Sequence, residues 1–202
     1  MNIFKFLLTA CCLVCIVAGN TSAALKPTEE LRPYIDKVIA ILQEGDKTES
    51  RIDKVNRIMK AVQEGFDFSL MSKWVLRGQW KKISADEQDK FTKLFTELLK
   101  YTYVSQISDY GNERVKYVKE TVRHGEKGSK AKVYTLLFKN EEQLEVIYSM
   151  YLMDEHWRVY DVNVQGMSLI GNYQKQFEAI LQKNSFQDLT NKIQEKITEL
   201  KQ

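Results

Sequence analysis

Near residue 112 the apolar residues change their spacing from every third or fourth position to every second, and after residue 167 they change back. That double switch restricts the chain to helices, then strands, then helices, which is the α+β class. Leu31, Tyr34, Ile35, Val38, Ile39 and Leu42 recur at helical spacing, and Gly45 follows as a stop. Ile52, Val55, Ile58, Met59 and Val62 repeat the pattern up to Gly65, and a shorter segment rich in large side chains runs from Phe68 to Trp80. Ser84 with Glu87 three residues later reads as a capping box. It opens a long helix through Phe91, Leu94, Phe95, Leu98, Leu99, Thr102, Tyr103 and Ile107, closed by Asp109-Tyr110-Gly111-Asn112.

Period two then predicts four strands: Val115–Val122, Ala131–Lys139, the run through Leu144 to Leu152, and Trp157–Gln165. Short turns at Gly125–Gly128 and Asp154–His156 make them an antiparallel meander. Two helices finish the chain, from Ser168 to about Asn184 and from Phe186 to Lys201. The expected architecture is a curved four-stranded antiparallel sheet with helices packed on it. The second and third strands are partly apolar on both faces, through Tyr134, Leu136 and Phe138 opposite Val133 and Leu137, and through Ile147, Tyr151 and Met153. A sheet wetted on one side shows polar residues there. Either helices cover both faces, or one face lines an internal cavity.

Residues 1–24 read as a secretory signal peptide. Lys5 supplies the positive start, Phe6–Ala18 the apolar stretch, and cleavage near Ala23 or Ala24 meets small residues. The stretch is short for a bilayer span, which takes about 20 residues. A retained anchor, or lipid attachment at Leu8-Thr9-Ala10-Cys11, is the alternative. All three cysteines, Cys11, Cys12 and Cys15, fall in this leader, so residues 25–202, expected as a single domain, carry no thiol chemistry and no disulfide. Such a domain suits an oxidising compartment. The net charge is only +3 and no basic block stands out, which argues against a nucleic-acid partner.

Catalytic and metal constellations are sparse. His124 and His156 sit at expected hairpin turns without a second ligand at metal spacing. No phosphate-binding or dinucleotide glycine pattern occurs, and no nucleophile elbow. Ser168 at a helix start reads as an N-cap. Asp161 interrupts an apolar strand. It is either an acceptor for a neighbouring loop or a solvent-facing residue, or else the base of a small cone-fold enzyme acting on a hydrophobic substrate.

One segment carries a specific resemblance. Trp157-Arg158-Val159-Tyr160-Asp161-Val162-Asn163-Val164-Gln165-Gly166-Met167-Ser168-Leu169-Ile170-Gly171-Asn172-Tyr173-Gln174-Lys175-Gln176-Phe177 resembles the W-x-V-Y-D-V-x-V-x-G-x-S-L-x-x-N-Y-x-x-Q-F run of the MlaC-type family of periplasmic phospholipid-binding proteins, also called toluene-tolerance ABC-transporter auxiliary components. Trp80-Lys81-Lys82-Ile83-Ser84 with Gln88, Phe91, Leu94-Phe95, Leu98-Leu99 and Thr102-Tyr103 is similar to a second family run. Phe66-Asp67-Phe68, Trp74–Gly78 and the tail from Ile180 to Ile193 extend the likeness to about Leu31–Lys196. Asn163 and Gln165 put polar side chains on the last strand, at positions the family run leaves open.

The resemblance implies a nuclear-transport-factor-like cone enclosing an apolar cavity, and no enzyme. The protein would sheathe phospholipid acyl chains in the periplasm and shuttle lipid between an outer-membrane lipoprotein complex and an inner-membrane ABC transporter with its substrate-binding subunit. No cofactor is expected, only phospholipid as cargo; hopanoid-like lipids are the alternative cargo. The side chains expected to line the lipid-binding pocket are Trp74, Phe95, Leu98, Leu99, Tyr103, Met167, Ile170 and Tyr173 from helical or turn positions, and Val133, Leu137, Tyr148, Val162 and Val164 from strands. Hiding two acyl tails calls for a hollow of roughly 1,000 Å³, at the top of the usual range for ligand pockets.

Overall fold

The structure is a computed structural model that describes residues 25–44, 49–107, 114–126, 128–139 and 142–201. The expected leader, the Gly45 stop, the closing Asp109–Asn112 turn and Lys127 lie outside the described residues. Six α-helices are described: α1 (Pro27–Gln43), α2 (Arg51–Gly65), α3 (Phe68–Leu76), α4 (Ala85–Ile107), α5 (Leu169–Leu181) and α6 (Phe186–Leu200). A 3-10 segment, Arg77–Lys82, joins α3 to α4. The strands are β1 (Arg114–Gly125), β2 (Gly128–Lys139), β3 (Glu142–Met153), β4 (His156–Val164) and β5 (Met167–Ser168), in sheet order β1-β2-β3-β4-β5 and antiparallel throughout.

The fifth strand corrects the expected count of four. Gln165 and Gly166 both take positive φ, 49° and 86°. Two such residues make the tight turn whose twist matches paired strands, so the chain folds back and Met167 pairs with Val164 before the helix begins. Asn163 steadies this turn by accepting the Gly166 N–H at 2.9 Å. The β3–β4 turn uses the same geometry at Asp154 and Glu155.

α1 joins the two halves of the fold. Leu31 and Ile35 pack on Ala131, Val133, Met150, Trp157 and Val159 of the sheet. Ile41 and Leu42 pack on Ile58 and Ala61 of α2. Gly65 closes α2 against Tyr34, and an added Cβ there would overlap the Tyr34 ring. The N-terminal end of α1 is tied down by Glu30, a buried carboxylate. Its Oε2 accepts the Trp157 N–H at 2.9 Å, and its Oε1 lies 2.7 Å from His156 Nδ1. His156 therefore has a partner that its place in a hairpin turn did not suggest.

A second core gathers α3, α4, α5 and α6 around aromatic rings. Phe95 sits 5.3 Å from Tyr173 and 5.9 Å from both Phe91 and Phe177, centre to centre. Most of these contacts are edge-to-face or offset, which ring quadrupoles favour. α3 is hung directly on β4: Phe66 bridges to Val159, the Asp67 N–H donates to the Val159 carbonyl at 2.9 Å, and the Asp67 carboxylate caps the helix by accepting from Leu70 N–H at 2.8 Å.

Two helices begin with reciprocal caps, as the Ser84–Glu87 spacing predicts for the first. Ser84 N–H donates to Glu87 Oε2 at 2.8 Å and Glu87 N–H to Ser84 Oγ at 3.3 Å; Ser185 and Asp188 repeat the arrangement for α6. These hydrogen bonds hold both carboxyl groups below their ordinary pKa. A depressed folded-state pKa contributes stability that is complete above the unfolded-state pKa and lost as pH falls through the folded one. Glu87→Gln and Asp188→Asn are thus expected to lower Tm at pH 7, with the deficit shrinking toward pH 3. Thermal melts at several pH values check this, and a deficit independent of pH would contradict it.

Candidate functional site

The register of the sheet decides which side chains meet. Val133 lies opposite Tyr148 and Tyr148 opposite Val162; Leu137 lies opposite Leu144; Val146 lies opposite Val164, which pairs with Met167. Alternate strand residues share a face. All five expected strand positions, Val133, Leu137, Tyr148, Val162 and Val164, therefore stand on one face, the face that carries α1.

Burial changes along that face. Under α1 the rows are sealed: Val133, Met150 and Val159 are 0 % exposed. Farther along, Leu137, Leu144, Tyr148 and Val162 are half-buried around the buried Thr135 and Val146, Val164 is exposed, and Met167 at the rim is 73 % exposed. An apolar face that opens in this way is the exception to explain, because exposed apolar patches mark binding surfaces more often than isolated exposed side chains do. Its electrostatics are apolar too. Burial pushes the Tyr148 phenol well above its ordinary pKa. Burial, and then the Asp36 carboxylate, do the same to Tyr117. Both phenols are neutral at physiological pH.

The expected helical positions divide differently. Phe95, Leu98, Leu99, Ile170 and Tyr173 are all buried among α3–α6. Leu98 and Tyr173 also border a groove of about 360 Å³ beside α6. Tyr103 lies in the last turns of α4, and its side chain is outside the described residues. Trp74 is not with the strand rows. It lines a cleft of about 470 Å³ with Leu70, Lys73, Arg77, Lys130, Tyr151 and Tyr160. Its ring stacks on Tyr160 at 5.6 Å, and Lys130 Nζ sits 4.8 Å from the indole centre. Lys130 neighbours Ala131 and so projects from the opposite face of the sheet to Val133. Of the basic and tyrosine members of this cleft, only Tyr151 was singled out from the sequence, as part of the apolar second face of its strand.

Asp161 occupies a bulge. Ser149 pairs with Asp161 and Met150 with Val159, which leaves Tyr160 as the extra residue. A bulge re-aims the side chains beside it. Asp161 Oδ2 accepts from Ser168 Oγ at 2.7 Å and Oδ1 from the Ile170 N–H at 3.0 Å, while Ser168 Oγ accepts the Gly171 N–H at 2.8 Å. Both carboxylate oxygens are engaged at the positive end of α5, where an anion is stabilised. That is the loop-acceptor role for Asp161 and the N-cap role for Ser168. No group of three or more His, Cys, Asp or Glu able to hold a metal ion occurs among the described residues, nor does any helix there have the length and apolarity to cross a membrane.

Three comparisons bear on this geometry. The sequence profile of the family described as MlaC protein matches residues 32–195. The intermembrane phospholipid transport system binding protein MlaC of Haemophilus influenzae is 24% identical over 123 residues, which is 60% of this chain and 58% of that protein. The chain thus matches less than two thirds of that relative's length. A solved structure of a phospholipid-binding protein from Ralstonia solanacearum, in complex with a phospholipid, superposes with a TM-score of 0.78 at 20% identity, covering 88% of this chain and 100% of that one. At that identity the likeness concerns the fold.

Removing the Asp161 carboxylate leaves two donors at the start of α5 without their acceptor. Asp161→Ala is expected to lose about 2–3 kcal/mol of stability, by the usual worth of hydrogen bonds to a charged acceptor. Asp161→Asn, which keeps one acceptor oxygen, is expected to lose less. Urea denaturation reads both, and equal stability of all three proteins would show the junction to be unimportant.

Proposed function

The chain belongs to the MlaC family, and from that premise we propose that it is a periplasmic carrier that sheathes the acyl chains of a phospholipid and passes lipid between outer- and inner-membrane complexes of an ABC transport system. In this reading residues 1–24 are a leader removed near Ala23 or Ala24, and residues 25–202 form the lipid-binding domain. The partners are an outer-membrane lipoprotein complex and an inner-membrane transporter with its substrate-binding subunit. The carrier is not an enzyme.

One observation carries the proposal: a largely apolar sheet face, broken by Thr135, sealed by α1 at one end and open at Val164 and Met167 at the other. Away from Glu120 at the α1 end, such a face offers acyl methylenes a lining without charge among the described residues. Each methylene kept from water is worth about 0.8 kcal/mol, so a sixteen-carbon tail gains on the order of 12 kcal/mol from a sheath. Without one, a two-tailed lipid does not cross an aqueous gap at a useful rate. The same arithmetic explains why the carrier needs no catalytic group. The names of the similar proteins from Haemophilus and Ralstonia, which bind or transport phospholipid, support the reading.

We assign the tail-lining role first to Leu137, Tyr148, Val162 and Val164, with Met167 at the mouth and Val133 at the floor. Helical positions such as Leu99 are candidates of the same proposal, and substitution separates lining from core. Native mass spectrometry of the protein isolated from a bacterial periplasm is expected to show one two-tailed lipid per chain; the mass also separates phospholipid from hopanoid-like cargo. Val164→Glu is expected to remain folded and lose that lipid. Leu99→Glu, which places an unpaired charge in a buried site, is expected to unfold the domain. A wild-type protein that carries no lipid and acquires none from phospholipid vesicles would overturn the proposal.

A further inference from the structure

The cleft around Trp74 lies off the open sheet face, at the edge of the aromatic helical core against which its Tyr160 packs. Three cations surround it, Lys73, Arg77 and Lys130, and no carboxylate is among the described residues that line it. None of the three forms an ion pair among the described residues, although other basic side chains do: Lys37 with Glu64, Arg57 with Glu44 and Glu49, Lys196 with Glu199. The floor is apolar and aromatic, built from Leu70 and the stacked rings of Trp74 and Tyr160.

The walls are held in place. Tyr160 is the extra residue of the β4 bulge, and α3 is fixed to β4 through Phe66 and Asp67. Gln174 Nε2 donates to the Trp74 carbonyl at 3.1 Å. Lys130 is already drawn over the indole face, so little of its side-chain freedom remains to be lost on binding. Arg77 keeps a positive φ of 49°, where glycine is the favoured residue, although Gly78 is the next position. A long cationic side chain is therefore held at this rim against the backbone's preference.

We propose that this cleft is the docking site for an acidic segment of a partner protein, with one aromatic or aliphatic side chain seated against Trp74 and Leu70 and flanking carboxylates on Lys73, Arg77 and Lys130. Charge complementarity selects the occupant, and concavity favours an inserted side chain over a flat bilayer surface. The position adds a consequence. Tyr151 in the cleft is five residues along β3 from Val146, the neighbour of Val164, a distance of about 17 Å at the usual strand rise. A partner seated here leaves the open end of the sheet face uncovered. The assignment does not depend on the cargo.

The probe is a fluorescein-labelled peptide of one phenylalanine flanked on each side by two glutamates, titrated into the whole protein and followed by anisotropy. Saturable binding is expected, weakened at least tenfold by Trp74→Ala, by Lys130→Glu and by raising salt from 50 to 500 mM, with lipid content and Tm of Lys130→Glu unchanged. Lys73→Glu, at an exposed position, gives the same reading if Trp74→Ala does not fold. The proposal is overturned if the acidic peptide does not bind, if a lysine-flanked peptide binds equally, or if the variants bind as wild type. It is also overturned if the protein sediments with phosphatidylglycerol vesicles in a Trp74-dependent way, since the cleft would then face a membrane.

Discussion

The sheet is tied to the aromatic helical core at Asp161. Its carboxylate, turned out of the sheet by the β4 bulge, receives the Ser168 hydroxyl and the Ile170 N–H, and so fixes where α5 leaves the sheet. α5 in turn supplies Ile170, Tyr173 and Phe177 to the aromatic core with α4 and α6. Without a fixed exit angle those rings would not meet Phe95 and Phe91. A buried or half-buried carboxylate is costly unless its oxygens are occupied. Here the first turn of a helix, which has unsatisfied N–H groups of its own, occupies them. One contact thus settles two liabilities.

The helices and the four long strands were legible because their apolar spacing is regular. The bulge was present in the sequence as well. Trp157 and Val159 are apolar at odd positions, Val162 and Val164 at even ones, and the phase changes across Tyr160-Asp161. A shift of one residue in a period of two means an extra residue in the strand. β1 shows the same slip between Tyr117 and Lys119. The two-residue β5 was not legible, since it is too short to have a period and depends on Gln165 accepting a positive φ.

Site residues were legible to different degrees for a physical reason. Alternation sorts side chains within one strand, as for Val133 and Leu137 or Val162 and Val164, but only the register of the folded sheet puts these pairs and Tyr148 on a common face. Helix positions report only that a side chain points inward, and inward from α4 or α5 leads to the packed rings around Phe95. Trp74 was singled out by size, yet its neighbours Lys130 and Tyr160 come from separate strands brought together only by folding. Glu30 had no signal at all. A carboxylate in the first turn of a helix is ordinary, and nothing local says that Trp157 and His156 will close over it.

The gradient along the α1-bearing face has a consequence for how such a chain tolerates change. Rows held under Leu31 and Ile35 anchor the architecture, and a lost methyl there leaves a void that close-packed neighbours fill poorly. Val164 and Met167 at the far end contribute little to cohesion, because they are not enclosed, although Val146 beside them is buried. Size and shape can drift at that end at small cost to folding. The scaffold therefore separates what must be conserved for integrity from what is free to be retuned, and does so within single strands, a few residues apart.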